Sequence, residues 1–183
     1  VRLEPLSLVA VAVAALIAAG CGAARVDPAA VSHGGLTLEQ ARAFDDFPLL
    51  YAGEQVDGLP LRAIVRRDDT ASYVAFVYGD CEPAADDLGC APPTEVQVWP
   101  ACARSLDLYG NGPGSPTVEP TVVRGVSALA LDGGTQLELQ TGRSTVVVFA
   151  STPARADRVA RALRPVGAGS SSGSLPQALD DPC

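Results

Sequence analysis

The chain has 183 residues, 13 of them basic and 21 acidic, giving a net charge of −8, and 48% are hydrophobic. That balance argues against nucleic acid as a partner, because phosphate backbones are met by basic surfaces, and it disfavours charge-driven binding to anionic headgroups. Every basic residue is arginine, so Schiff-base lysine chemistry and the phosphate-loop lysine are both missing.

Leu6 to Ala19 (LSLVAVAVAALIAA) is an uncharged run of 14 residues. A spanning helix needs about 20 apolar residues, whereas this length suits the core of a signal peptide. Arg2 and Glu4 precede the run, and small residues followed by Cys21 end it. This order resembles a bacterial lipoprotein signal, in which a small-residue box ends at a cysteine that becomes lipid-modified. Ala18, Ala19 and Gly20 stand where that family usually has leucine and two small residues, with Leu16 two positions early. The resemblance covers the first 21 residues. It implies that residues 1–20 are a cleaved signal peptide and that Cys21 carries a thioether-linked diacylglycerol, usually with an amide-linked third chain. At about 0.8 kcal/mol per buried methylene, two or three chains anchor stably. The expected address is the outer face of the cell membrane, with the membrane as partner through the lipid on Cys21. Cleavage removes one arginine and one glutamate, leaving the charge at −8 and one domain of about 160 residues.

Residues 21–35 are small and polar and read as a tether; the chain's single histidine, His33, lies in it beside two glycines as a solvated linker residue. The globular domain is expected over residues 36–165. Thr37 to Phe47 (TLEQARAFDDF) has Thr followed by Gln three residues on, and apolar Leu38, Ala41 and Phe44, which predicts a capped helix stopped by Pro48. Leu59–Val65 and Ser72–Gly79 read as strands around RRDDT. Glu95 to Trp99 alternates, with Val96 and Val98 on one face and Glu95, Gln97 and Trp99 on the other. YGNGPGSP, residues 109–116, is a loop. Val126–Leu131, Gln136–Thr141 and Ser144–Ala150 predict a meander. Thr152 to Leu163 (TPARADRVARAL) predicts a second capped helix with Ala156, Val159, Ala160 and Leu163 as its apolar stripe. Residues 166–183 form a Gly/Ser linker and a tail.

Val56-Asp57-Gly58-Leu59 is echoed by Val123-Arg124-Gly125-Val126, and each is later followed by an apolar strand, YVAFVY or TVVVFA. The expected fold class is therefore α+β, an antiparallel sheet of two β-rich halves covered by an N-terminal and a C-terminal helix, with two disulfides. Cys81, Cys90, Cys102 and Cys183 allow three pairings. The turn-rich stretch between Cys81 and Cys90 favours that short bridge, leaving Cys102 with Cys183 to tie the tail. Loop-closure entropy puts the two bridges at about 2.7 and about 4.5 kcal/mol. The thiols lack the close C-x-x-C pairs of a zinc site.

No G-x-S-x-G, HExxH or phosphate loop occurs, and the folded part holds no histidine to serve as base. Paired carboxylates remain open for an acid–base mechanism, because Glu95, Glu119, Glu138 and several aspartates are not placed by sequence alone. Asp80, Glu82, Asp86 and Asp87 form an acidic loop without the order of a calcium site, so it reads as solvated. No metal or other cofactor is expected. Tyr73 and the single Trp99 are placed on the exposed side of the sheet as a possible binding surface, the alternative for Trp99 being core packing against the disulfides. The segments YGDC, GCAPP and VQVWPAC resemble those of uncharacterised exported lipoproteins of GC-rich bacteria, a resemblance that implies no activity. The function expected is a non-enzymatic envelope lipoprotein binding a partner protein or a cell-wall component. A lipid or solute carrier would need an apolar cavity between sheet and helices, and a carboxylate hydrolase would need two acids across a cleft.

Overall fold

Residues 35–68, 72–81, 91–106, 117–169 and 173–180 are described by the computed structural model. The predicted signal peptide, Cys21, the tether with His33, the acidic residues Glu82, Asp86 and Asp87, Cys90, the loop 109–116 and Cys183 lie outside them. Helix α1 spans Leu38–Arg42 and starts with a full capping box: the Thr37 hydroxyl accepts the Gln40 amide at 3.1 Å while the Gln40 side chain accepts the Thr37 amide at 2.7 Å. It ends well short of the predicted Phe47. Asp45 and Asp46 would put negative charge on the negative end of the helix dipole. The Phe44 and Phe47 rings pack edge to face instead, 4.9 Å apart, and lead the chain into buried Leu49 and Leu50.

Strands β1 (Leu50–Tyr51) and β10 (Arg164–Pro165) pair as a small antiparallel ribbon. The remaining strands are β2 (Gln55–Val56), β3 (Leu59–Arg67), β4 (Tyr73–Tyr78), β5 (Thr94–Pro100), β6 (Val118–Val123), β7 (Val126–Leu131), β8 (Gln136–Thr141) and β9 (Ser144–Ala150). They form one antiparallel sheet in the order β2-β3-β4-β5-β9-β8-β7-β6. Each half of the chain thus makes a four-stranded meander, and the two meanders meet where β5 pairs with β9. In this arrangement the two sequence echoes occupy equivalent turns, joining β2 to β3 and β6 to β7. The strands matched in the sequence are not equivalent, however: YVAFVY is β4, the third strand of its meander, and TVVVFA lies in β9, the fourth of the other.

One face of the sheet carries the core. Val74, Phe76, Val96, Val98, Leu139, Val146 and Val148 are buried there beneath helix α2 (Pro153–Ala162), whose Ala156, Val159 and Ala160 are fully enclosed, as is Leu163 at its end. The predicted stripe is thus the packed face of the C-terminal helix, with the Thr152 hydroxyl accepting the Arg155 amide as cap. β6 was not legible as a strand because Pro120 interrupts it. At the sheet edge a missing N–H removes no ladder bond, so the proline is tolerated.

The two echoed turns hold α2 from opposite sides of the sheet. Asp57 and Arg124 have φ of 50° and 49°, and Gly58 and Gly125 follow with 79° and 87°, the left-handed pair that a tight hairpin requires. Asp57 accepts hydrogen bonds from Arg155 at 2.8 Å and from Arg158 at 2.7 and 3.0 Å. Arg124 instead donates to the carbonyls of Arg161 and Leu163 at the helix end, where a cation suits the dipole. The hydrogen bonds from Arg158 and Arg155 hold the Asp57 carboxyl well below the usual carboxylate range. An unfolded aspartate titrates near pH 3.9, so the contribution of Asp57 is complete above about pH 5 and is lost progressively as pH falls below it. Asp57→Asn is expected to flatten the acid limb of a stability profile taken from urea midpoints, while changing the slope little above about pH 5.

Tyr78 fastens the two sheets together. It is fully buried, and its hydroxyl accepts the Ala52 amide at 2.9 Å; burial pushes its ionisation well above the ordinary value. Tyr78→Phe leaves that buried amide unpaired, for an expected loss of about 1–3 kcal/mol in denaturant unfolding at unchanged m. The tail is also bound where it is described. Leu175 is buried, its amide donates to Arg124, Gly142 donates to the Gln177 carbonyl, and the Gln177 side chain donates to Gly125. Residues 173–177 therefore run as a strap across the turns of the second meander.

Candidate functional site

Alternation along β5 sends Val96 and Val98 into the core and Glu95, Gln97 and Trp99 to the opposite face, as the sequence predicts. The register sets Val74 opposite Val98, which brings Tyr73 beside Trp99. Their rings stack with centroids 4.2 Å apart and planes at 17°. The two side chains proposed as a binding surface are therefore brought together, both half-buried. The Arg104 guanidinium carbon lies over the Trp99 ring, 5.1 Å from its centroid. Thr145 on β9 donates its hydroxyl to the Arg104 carbonyl, so Arg104 approaches from the β9 side and Tyr73 from the β4 side. Trp99 is thus neither an open platform nor a core residue.

The polar residues of this face are ordered in a line. Trp99 Nε1 donates to Gln97 Oε1 at 3.1 Å, and Gln97 Nε2 donates to Glu95 Oε1 at 2.8 Å. These bonds set the orientation of the Gln97 amide and hold the indole edge. Beyond β9, Glu138 is completely buried. Arg104 donates to both of its oxygens, with Nε at 3.2 Å from Oε2, and Gln136 Nε2 donates to Oε1 at 2.7 Å. Arg104 and Glu138 are the residues of this face that the sequence did not single out as a pair. Glu138 sits between Leu137 and Leu139 in an alternating strand, and its burial with Arg104 is not visible in that local pattern.

Among the described residues Glu95, Glu119 and Glu138 stand apart from one another. β9 separates Glu95 from Glu138, Glu138 is occupied by Arg104, and Glu119 lies exposed on edge strand β6. Among the described residues no group of three or more His, Cys, Asp or Glu could hold a metal ion. The space between sheet and α2 is filled by side chains with no exposure, so it offers no carrier cavity there. Cys81 and Cys102 are both disulfide-bonded. They lie at opposite ends of the β4–β5 pair, Cys81 following Tyr78 and Cys102 following Pro100. The chain is matched by no family model, by no curated protein and by no solved structure.

Proposed function

We propose that the protein is an exported lipoprotein, anchored to the outer face of the cell membrane through Cys21, whose domain binds an envelope protein or cell-wall component without catalysis. The observation that carries the binding reading is the stacked, half-buried Tyr73–Trp99 pair on the sheet face away from α2, braced by Arg104. Aromatic side chains held rigidly beside an ordered amide and carboxylate bring contact area at little entropic cost. The address rests on the order of charge, 14-residue apolar run, small residues and Cys21.

The disulfide pairing proposed is Cys81 with Cys90 and Cys102 with Cys183. Two main-chain bonds support the second bridge: Ala101 donates to Arg143, and Gly142 donates to Gln177. The tail thus arrives at the end of the sheet where Cys102 stands.

The intact mass of the native protein should show loss of residues 1–20 and an acyl increment on Cys21, and Cys21→Ala should lose the increment and leave the membrane. A Cys21→Ala protein still held in the membrane would overturn the anchor. For the binding face, a benzophenone amino acid at position 73 should yield one saturable adduct in the protein's own envelope, whereas the same probe at Arg158 on α2 should not. Equal labelling from both faces would overturn the aromatic site while leaving the anchor standing.

A further inference from the structure

A cleft of about 420 Å³ opens beside the C-terminal end of α2, between the turn after β10 and the strap of Ser174 to Pro176. That volume falls in the range of small-molecule sites, about 300–1,000 Å³. Its accessible apolar wall is Pro165, Ala168 and Pro176, Leu163 and Leu175 being themselves buried, and Arg124 and Ser174 also line it. Arg164 also lines it; its guanidinium carbon lies over Tyr51, 5.4 Å from the ring centroid, and its buried Nε has no hydrogen-bond partner among the described residues. Two guanidiniums, those of Arg124 and Arg164, thus border the cleft.

A guanidinium carries five N–H donors. In Arg124 the Nε and one NH2 hydrogen reach the Gly173 carbonyl at 3.0 and 2.6 Å, and the NH1 hydrogens reach Arg161 and Leu163. One NH2 hydrogen is left. All these acceptors are neutral carbonyls, and no carboxylate among the described residues offsets the charge. The Ser174 hydroxyl likewise has no hydrogen-bond partner among the described residues. A guanidinium that meets only neutral carbonyls and keeps one donor, a serine hydroxyl and apolar walls together define one kind of ligand. We propose that this cleft binds a small amphipathic carboxylate, its two oxygens taken by Arg124 and Ser174 and its hydrocarbon lying against Pro165, Ala168 and Pro176. The strap is one wall of the site, so an occupied cleft ties Ser174 to Arg124 and holds the strap closed. This site is separate from the Tyr73–Trp99 face and does not depend on it.

The test uses the full chain in nanodiscs of zwitterionic phospholipid and a ten-carbon carboxylate carrying a terminal diazirine. Saturable crosslinks are expected within residues 163–168 and 174–176. Decanoate should displace the probe at least tenfold better than decanol, and bound decanoate should slow hydrogen exchange at the Leu175 amide. Ser174→Ala should weaken displacement about fivefold, the effect of one hydrogen bond. Ala168→Phe fills the cleft from its wall and should abolish labelling with an unchanged melting temperature. Labelling that does not saturate, that survives Ala168→Phe, or that decanol displaces as well as decanoate would each overturn the proposal.

Discussion

Replacing Arg104 with alanine is expected to destabilise the protein by about 3–5 kcal/mol, because it strands a buried carboxylate. Glu138 has no exposed side-chain surface, Arg104 is only 22% exposed, and the amide of Gln136 also donates to the same carboxylate without supplying a charge. Glu138→Gln keeps the shape but gives up the charge that Arg104 needs, so it should lie between wild type and Arg104→Ala. The double replacement Arg104→Met with Glu138→Leu removes both charges, and it should recover most of the loss or exceed wild type. Chemical denaturation of wild type, Arg104→Met, Glu138→Leu and the double variant closes the cycle. If Arg104→Ala lost less than about 1 kcal/mol, Glu138 would be in contact with solvent and the packing of residues 101–104 over β9 would be wrong. The same series reads the aromatic face. Arg104 also covers Trp99, the only tryptophan in the chain, so its emission should shift to the red in Arg104→Ala and Arg104→Met but stay near wild type in Glu138→Gln.

Phe76→Ala is the second large effect, with an expected loss of about 3–5 kcal/mol. Phe76 has no exposed surface, stands on β4 inside the first meander, and packs against Tyr51 with ring centroids 5.7 Å apart. Truncation removes transfer energy and opens a cavity between the main sheet and the β1–β10 ribbon. One wall of that cavity is β4, held by ladder bonds to β3 and β5, so it cannot collapse into the space. Val122→Ala is the matched control: Val122 is 65% exposed on edge strand β6, and its removal should change stability by less than about 0.5 kcal/mol. Equal losses in the two variants would mean that the core does not lie on the face of β4 that carries Phe76.

Six strands and the C-terminal helix were legible because their signals are local. Val96 and Val98 alternate with Glu95 and Gln97 at the period of a strand, and Ala156, Val159, Ala160 and Leu163 recur at the period of a helix. The short elements were not legible. β1, β2 and β10 have two residues each, too few for any period, and β6 is masked by Pro120. The first helix was overread because Phe44 continues its apolar pattern, although the two aspartates that follow favour leaving the helix. The tail looked like an unstructured linker because glycine and serine dominate it. Its binding depends on one leucine and on main-chain groups that composition does not reveal.

By itself the sequence determined the class of the fold, the face that each long strand presents, the stripe by which α2 packs, and the side of β5 on which Trp99 stands. Those are properties of residues within a few positions of one another, and backbone geometry turns them directly into sides of a strand or helix. Only the tertiary structure decided that β5 pairs with β9 and that the two echoed turns grip one helix with opposite charges. It alone also buried Glu138 beneath Arg104 and left one donor of Arg124 at the mouth of a cleft. Each of these joins residues some thirty to a hundred positions apart, and such contacts are set by the packing of whole elements, to which no local pattern in the chain corresponds.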